Sequence, residues 1–342
     1  MNKKYRGKAI SLFAGCGGDS LGLEMAGIKV IGFVECWDKA IQTHKLNFPK
    51  AKFIGEKWKG DITKIPDKEF LKFKGKIDIL FAGFPCQGFS HAGKKESNDP
   101  RNKLFWEFVR VTNLIKPKWI IGENVVGIIH RKTDDKKTNV SDVIVQAFEK
   151  IGYSMNEPTV LKAEEYGVPQ KRRRVFFVGN RINKTFNFPK PIKRIQSIKR
   201  IIEDDLTNAE QFRLKFKDIP PSKIHKISNK IVVNGKPHPY LLRKLKEENI
   251  SFKKRLSPFH AEVVDIDSPA KTIHCGYSFQ PRLFVLLKNN KGIFIRPFNT
   301  RELAQIQGFP KNYKFYGKRE DIIKQIGNAV PPILIDKIVE AI

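Results

Sequence analysis

Short apolar runs alternate with amphipathic stretches through the first 180 residues. Lys8–Phe13 (KAISLF), Lys29–Val34 (KVIGFV), Lys76–Ala82 (KIDILFA), Lys118–Gly122 (KWIIG) and Arg174–Gly179 (RVFFVG) are nearly continuous apolar runs of strand length, the pattern of strands covered on both faces. Between them, Leu21–Ala26, Asp38–Asn47, Leu104–Ile115 and Ser141–Ile151 carry helical periodicity. This alternation predicts an α/β fold: a doubly wound, Rossmann-like parallel sheet with helices on both faces. Near Asn180 the rhythm breaks. Residues 181–295 are lysine-rich and interrupted by Pro220, Pro221, Pro237 and Pro239, which predicts a smaller, irregular unit of strands and loops. Regular patterning returns over Pro297–Phe309, and Ile333–Ile342 predicts a final helix.

Composition narrows the class. A chain of 342 residues is long enough for two domains. No apolar run approaches the roughly 20 residues that span a bilayer, and the opening MNKKYRGKAISLF lacks the pattern of a secretory leader. A cytoplasmic location is expected. The four cysteines, Cys16, Cys36, Cys86 and Cys275, are far apart, with no CxxC and no cysteine–histidine ligand spacing. Free thiols are expected, and no metal site. Charge adds a partner. The formal net charge is +30, and Lys171–Arg255 holds 24 basic against 7 acidic side chains. A basic stretch this dense points to a polyanion such as nucleic acid.

The first strand runs into SLFAGCGGDSLG, residues 11–22. Glycines after a first strand let backbone approach a ligand at a helix N-terminus. The dinucleotide register G-x-G-x-x-G fails at Ser20, and no G-K-[ST] follows. Glu35 closes the second strand, where a carboxylate can accept hydrogen bonds from ribose hydroxyls. Trp37 is placed to stack on a purine, and Asp61 to accept from an adenine amino group. Together they suggest an adenosine-bearing cofactor without nicotinamide, and S-adenosylmethionine fits.

The third strand runs into Gly83-Phe84-Pro85-Cys86-Gln87-Gly88-Phe89-Ser90. A thiol with pKa about 8.5 becomes a nucleophile where its thiolate is stabilised. Glu123, in GENV, ends the next strand and is expected to face the same cleft, so covalent catalysis with proton transfer is available. FAGCGG, GFPCQGFS, ENV, QKRRR, TRELAQIQGFP and QIGNAVPP follow one another in order. The chain closely resembles the DNA (cytosine-5)-methyltransferases of prokaryotic restriction-modification systems. Only residues from about 185 to 290 fall outside the resemblance.

The resemblance implies a role for each matching position. Phe13, Gly15, Gly17, Glu35, Trp37, Asp61, Ile62, Pro85, Asn328 and Val330 would bind S-adenosylmethionine. Cys86 would attack cytosine C6, Glu123 would support the base at N3, and Arg172 and Arg174 would orient the base and Glu123. Residues 1–184, completed by 322–342, would form the catalytic domain, and 185–321 the target-recognition domain and hinge. Gln87 and Ser90 would take the place of a flipped-out cytosine in double-stranded DNA. Arg101, Thr272, Ile273, Tyr277, Gln280 and Arg282 are further DNA-binding candidates. The expected protein is a monomer that works on nucleoid DNA, paired with a cognate restriction endonuclease. A tRNA cytosine-5 methyltransferase on the same framework, and a DNA-binding module without chemistry, are the alternatives.

Overall fold

The structure is a computed structural model that describes residues 5–85, 103–133, 138–192, 195–211, 224–226, 243, 250–251 and 261–342. Apolar runs form the strands of the large sheet: β1 (Gly7–Leu12), β2 (Ile28–Val34), β3 (Lys52–Phe53), β4 (Ile79–Ala82), β5 (Trp119–Asn124), β6 (Ser154–Met155), β7 (Thr159–Lys162) and β9 (Arg173–Asn180). Their order is β3-β2-β1-β4-β5-β9-β6, with β7 also on β9. The pairs β1–β2, β1–β4, β2–β3 and β4–β5 are parallel. Helices α1 (Gly18–Met25), α2 (Asp38–Asn47), α3 (Asp67–Leu71), α4 (Lys103–Ile115) and α5 (Val140–Glu149) connect them. The chain leaves β1 toward β2 and returns on its other side at β4. Ligands bind at such a reversal, outside the carboxyl ends of the strands.

The sheet is not wholly parallel. β9 runs antiparallel to β5, β6 and β7. Residues 163–172 alone join β7 to β9, through a short 3-10 turn, Ala163–Tyr166, and β8 (Gln170–Lys171). That is too little chain for the crossover that parallel neighbours need. The apolar run Arg174–Gly179 identifies a buried strand but carries no sign of its direction.

Both faces of the sheet are covered. Ala9, Phe33, Phe81, Ile121 and Phe176 pack on one side with Leu334 and Ile338 from the C-terminus. Ile10, Leu80, Ile120 and Phe177 pack on the other with Phe108 and Phe148. A second sheet comprises β10 (Glu210–Gln211), β11 (Ile224–Lys226), β12 (Ile250–Ser251), β13 (Ala261–Val263), β15 (Leu283–Asn289) and β16 (Gly292–Pro297). β14 (Ala270–Lys271) pairs in parallel with β8, tying the segment before β15 to the segment before β9. Helices α6 (Thr300–Gln307), α7 (Arg319–Asn328) and α8 (Pro332–Glu340) end the chain. A Cβ added at Gly22 of α1 would lie 2.6 Å from Ile335 Cβ, so glycine is what lets α8 close onto α1. Among the described residues no helix is long and apolar enough to cross a membrane.

Candidate active site

The turn after β1 is built around backbone conformations that side chains rarely adopt. Phe13, Gly15 and Gly17 have φ of 56°, 54° and 86°. For Phe13 that is strain of the kind concentrated at functional sites. A Cβ on Gly15 would meet nothing within 4 Å, so open space lies before the turn. Gly15 N donates to Glu35 Oε2 at 2.8 Å, while Cys36 N and Trp37 N donate to Glu35 Oε1 at 2.9 and 2.8 Å. Three N–H groups thus fix one carboxylate at the ends of β1 and β2. The backbone at Gly60 lies against the Glu35 carbonyl so tightly that a Cβ there would clash, which brings Asp61 and buried Ile62 alongside. Thr63 N and Oγ1 donate to Asp61 Oδ1 at 3.2 and 2.7 Å, and Lys64 pairs with Oδ2 at 2.9 Å. The Thr63 and Lys64 contacts hold the Asp61 carboxyl below the usual carboxylate range.

The C-terminal segment packs against this turn. Gly18 packs against the Val330 carbonyl with no room for a Cβ. Lys324 of α7 sets its ammonium 4.5 Å from the centre of the Trp37 ring, and Asn328, exposed, follows one turn later. Lys39 of α2 lies over Tyr316 in turn, 5.1 Å from its centre. Such contacts contribute about 0.5–1 kcal/mol each at exposed sites.

A second group of residues stands at the ends of β4 and β5. Glu123, almost fully buried, pairs its Oε1 with Arg174 Nε at 2.8 Å. Its Oε2 would be 3.6 Å from a Cβ at Gly83, with Val330 Cγ2 at 3.7 Å from the same point. Asn124 Nδ2 donates to Phe84 O at 3.1 Å. GFP therefore leaves β4 directly beside the Glu123 carboxyl. Burial pushes the Glu123 pKa up, against the opposing pull of Arg174 and then Arg172, so a proton resides there more readily than on an exposed glutamate.

Arg172 does something else. Among the described residues it makes no ion pair with Glu123. Its Nη1 donates to Ile273 O at 3.3 Å, and its Nη2 to Gly327 O and Ala329 O, both at 3.0 Å. It is 1% exposed, and its Nε has no partner among the described residues. Arg172 thus joins the strand end to residues 273 and 327–329 and reaches Glu123 only through its charge. Gln170 helps: its Nε2 donates to Gln307 Oε1 at 2.6 Å, and its Oε1 accepts from Ile273 N at 3.2 Å. Gln170 and Gln307 lie inside the QKRRR and QIQGFP motifs, which signalled them, although their mutual contact spans 137 positions and no local pattern marks it.

The DNA-binding candidates divide. Cys86, Gln87, Ser90 and Arg101 lie outside the described residues. Tyr277 is corrected: it is buried, and its hydroxyl donates to Leu283 O at 2.6 Å and accepts from Phe298 N at 2.9 Å. A fully engaged core tyrosine has no group left for a base edge. Ile273 is likewise buried, and its side chain belongs to the core. Thr272 Oγ1 donates to Lys171 O at 2.6 Å. Gln280 is exposed and accepts from Arg282 Nη2 at 3.0 Å. Among the described residues no three His, Cys, Asp or Glu side chains converge as a metal site would require.

Sequence reading missed a polar chain under the glycine turn. Ser11 Oγ donates to Asp19 Oδ2, Ser20 Oγ reaches Asp19 Oδ2 at 3.4 Å, and Ser20 Oγ meets His44 Nε2 at 2.9 Å. All four residues are buried. Burial pushes the Asp19 pKa up to about 7 and brings His44 down to about 3.

The family described as C-5 cytosine-specific DNA methylase matches residues 7–342. The chain belongs to that family. Type II methyltransferase M.DdeI of Desulfomicrobium norvegicum is 32% identical, over 97% of this chain and 88% of its own. Type II methyltransferase M.FnuDI of Fusobacterium nucleatum is 34% identical, over 95% of this chain and 90% of its own. The solved DNMT2 of Spodoptera frugiperda shares the fold, with a TM-score of 0.67 and 19% identity over 97% of this chain and 99% of its own. This C-5 cytosine DNA methylase acts on DNA and takes its methyl group from a donor.

Proposed function

We propose that the chain methylates cytosine C5 at one recurring sequence in double-stranded DNA, with S-adenosylmethionine as donor and Cys86 as nucleophile. The observation that supports this most is the Glu123–Arg174 pair, 2.8 Å apart, against which the chain enters Gly83-Phe84-Pro85, with Cys86 next in the sequence. The turn at the ends of β1 and β2 suits an adenosyl group. It has open space before Gly15, and carboxylates Glu35 and Asp61 are held as hydrogen-bond acceptors. Trp37 offers an aromatic face, and Ile62, Pro85, Asn328 and Val330 would complete the lining. Bound there, the donor supplies an electrophilic methyl group on a sulfonium.

The chain's own groups do the rest. The Cys86 thiolate adds to C6, forming an S–C bond and pushing an electron pair onto the ring. Glu123, carrying a proton at N3, stabilises that charge. Arg174 holds the carboxyl in place, and Arg172 fixes the segment behind it. Once C5 has taken the methyl group, a base removes the C5 proton and the S–C bond breaks, returning the thiolate. The target base must leave the duplex for this, and Gln87 and Ser90 would fill its place.

Residues 1–184 with 322–342 would form the catalytic domain, and 185–321 the recognition domain and hinge. Lysines there and Arg101 would contact phosphates, while Thr272, Gln280 and Arg282 would lie nearest the base edges. One catalytic set per chain suffices, so a cytoplasmic monomer on nucleoid DNA, partnered by a cognate restriction endonuclease, is the working form. A duplex made with 5-fluorocytosine tests the nucleophile, because fluorine at C5 cannot leave as the proton does. Wild-type protein should become bound to it resistantly to denaturant, and Cys86→Ala should not. Equal trapping by Cys86→Ala would contradict the assignment.

A further inference from the structure

Phe279 is 74% exposed, the most exposed large apolar side chain among the described residues. Water contact on this scale forfeits the burial that an aromatic ring usually contributes. Its turn is nevertheless firmly held. Thr272 Oγ1 donates to Lys171 O at 2.6 Å, Ile273 N donates to Gln170 Oε1 at 3.2 Å, and Arg172 Nη1 donates to Ile273 O at 3.3 Å. Cys275 then lies on Gly327, where an added Cβ would stand 2.5 Å from Cys275 N. Phe279 N and Gln280 N both donate to Gly276 O at 3.1 Å, closing the turn. Beyond it, the Tyr277 hydroxyl bridges Leu283 O and Phe298 N. The ring is displayed from a rigid support, which is how a contact residue is made precise.

Its position gives it a partner. Arg172, which anchors the start of this segment at Ile273 O, lies two residues before Arg174, the partner of Glu123, and Gly327, on which Cys275 packs, lies three residues before Val330, which stands beside Gly83 and the Glu123 carboxyl. The turn is therefore tied to the backbone around Glu123. Residues 272–282 include no Asp or Glu, and the Arg282–Gln280 pair flanks the ring, so the surroundings favour a polyanion. Resting on the reading of the site given above, we infer that Phe279 is a base-stacking residue. When the target cytosine leaves the helix, Gln87 and Ser90 would take its place opposite the unpaired partner base, and the Phe279 ring covers the stacked face that the neighbouring base loses. Stacking of this kind accepts any base and adds affinity without reading sequence.

Cytosine-conversion sequencing of DNA treated with wild-type protein first supplies the target. A short duplex carrying it, and a scrambled control, are then titrated against Phe279→Ala, Phe279→Leu and Phe279→Trp. Alanine should weaken binding to the target duplex about tenfold and raise KM for DNA, with KM for the methyl donor unchanged. Tryptophan should restore binding, and its added emission, over that of the four native tryptophans, should be quenched by the target duplex alone. Wild-type affinity in Phe279→Ala, or emission of Phe279→Trp that ignores the target, would overturn the assignment while leaving the methyltransferase reading intact. Absence of any methylated cytosine with wild-type protein would defeat that reading, and this inference with it.

Discussion

Burial raises the pKa of Glu123 in spite of the neighbouring Arg174. The sign of the pH dependence follows. The protonated carboxyl is the form that supports N3, so activity should fall as pH rises through the raised pKa of Glu123. On the acid side it should fall as the Cys86 thiolate is lost. Arg174→Ala removes a pull that lowers the Glu123 pKa, so the alkaline limb of the pH–rate profile should move to higher pH while kcat drops. Glu123→Ala should lose about a hundredfold or more in kcat with cofactor affinity retained, measurable by methyl transfer at saturating DNA. Asp19 tests burial separately. With an unfolded carboxyl near 3.8 and a folded pKa of about 7, the native state holds the extra proton between those values, and stability declines as pH rises through that window. Asp19→Asn should lose less stability than wild type between pH 5 and pH 8 in urea unfolding. Glu35 was legible in the sequence because it ends a strand beside a glycine turn. The Ser11–Asp19–Ser20–His44 chain was not, since nothing in local spacing says that His44 of α2 turns inward to meet Ser20.

At the scale of elements, periodicity located what is long and amphipathic: α2 spans Asp38–Asn47 as the pattern predicts. It missed α3, only five residues long, and α7, whose polar outer face hides its buried Ile323 and Ile326. Strand direction was lost too, because it is set by the connection and not by the strand. Two element junctions make the account testable. Arg296 and Glu302 form a fully buried pair at 2.7 Å, and Glu302 also completes the capping box of α6 with Asn299. Glu302→Ala would strand a buried guanidinium and remove half of that cap, for a loss of about 3–5 kcal/mol in denaturant unfolding. Gly327 lies under the backbone of His274 and Cys275. Gly327→Ala must push residues 273–275 off Arg172, so it should depress methyl transfer more than it depresses stability, read by kinetics and thermal melting on the same sample.

For the whole molecule, charge and motif order spoke loudest. The motifs were legible because catalysis fixes residue types at the ends of particular strands. Base reading was not, and Tyr277 shows why: an aromatic among polar neighbours looks available until the fold seals it between β15 and Phe298. The +30 charge predicts steeply salt-dependent DNA binding. If six phosphates are neutralised, affinity should fall about 10³-fold between 50 and 200 mM salt, measurable by fluorescence anisotropy. The central claim is sequence-specific methylation through Cys86. Purified protein, S-adenosylmethionine and unmethylated genomic DNA, followed by cytosine-conversion sequencing with Cys86→Ala in parallel, test it directly. The account predicts protected cytosines within one recurring sequence, all absent with the variant. Protection by Cys86→Ala at the same sites, or none with wild-type protein, would contradict it.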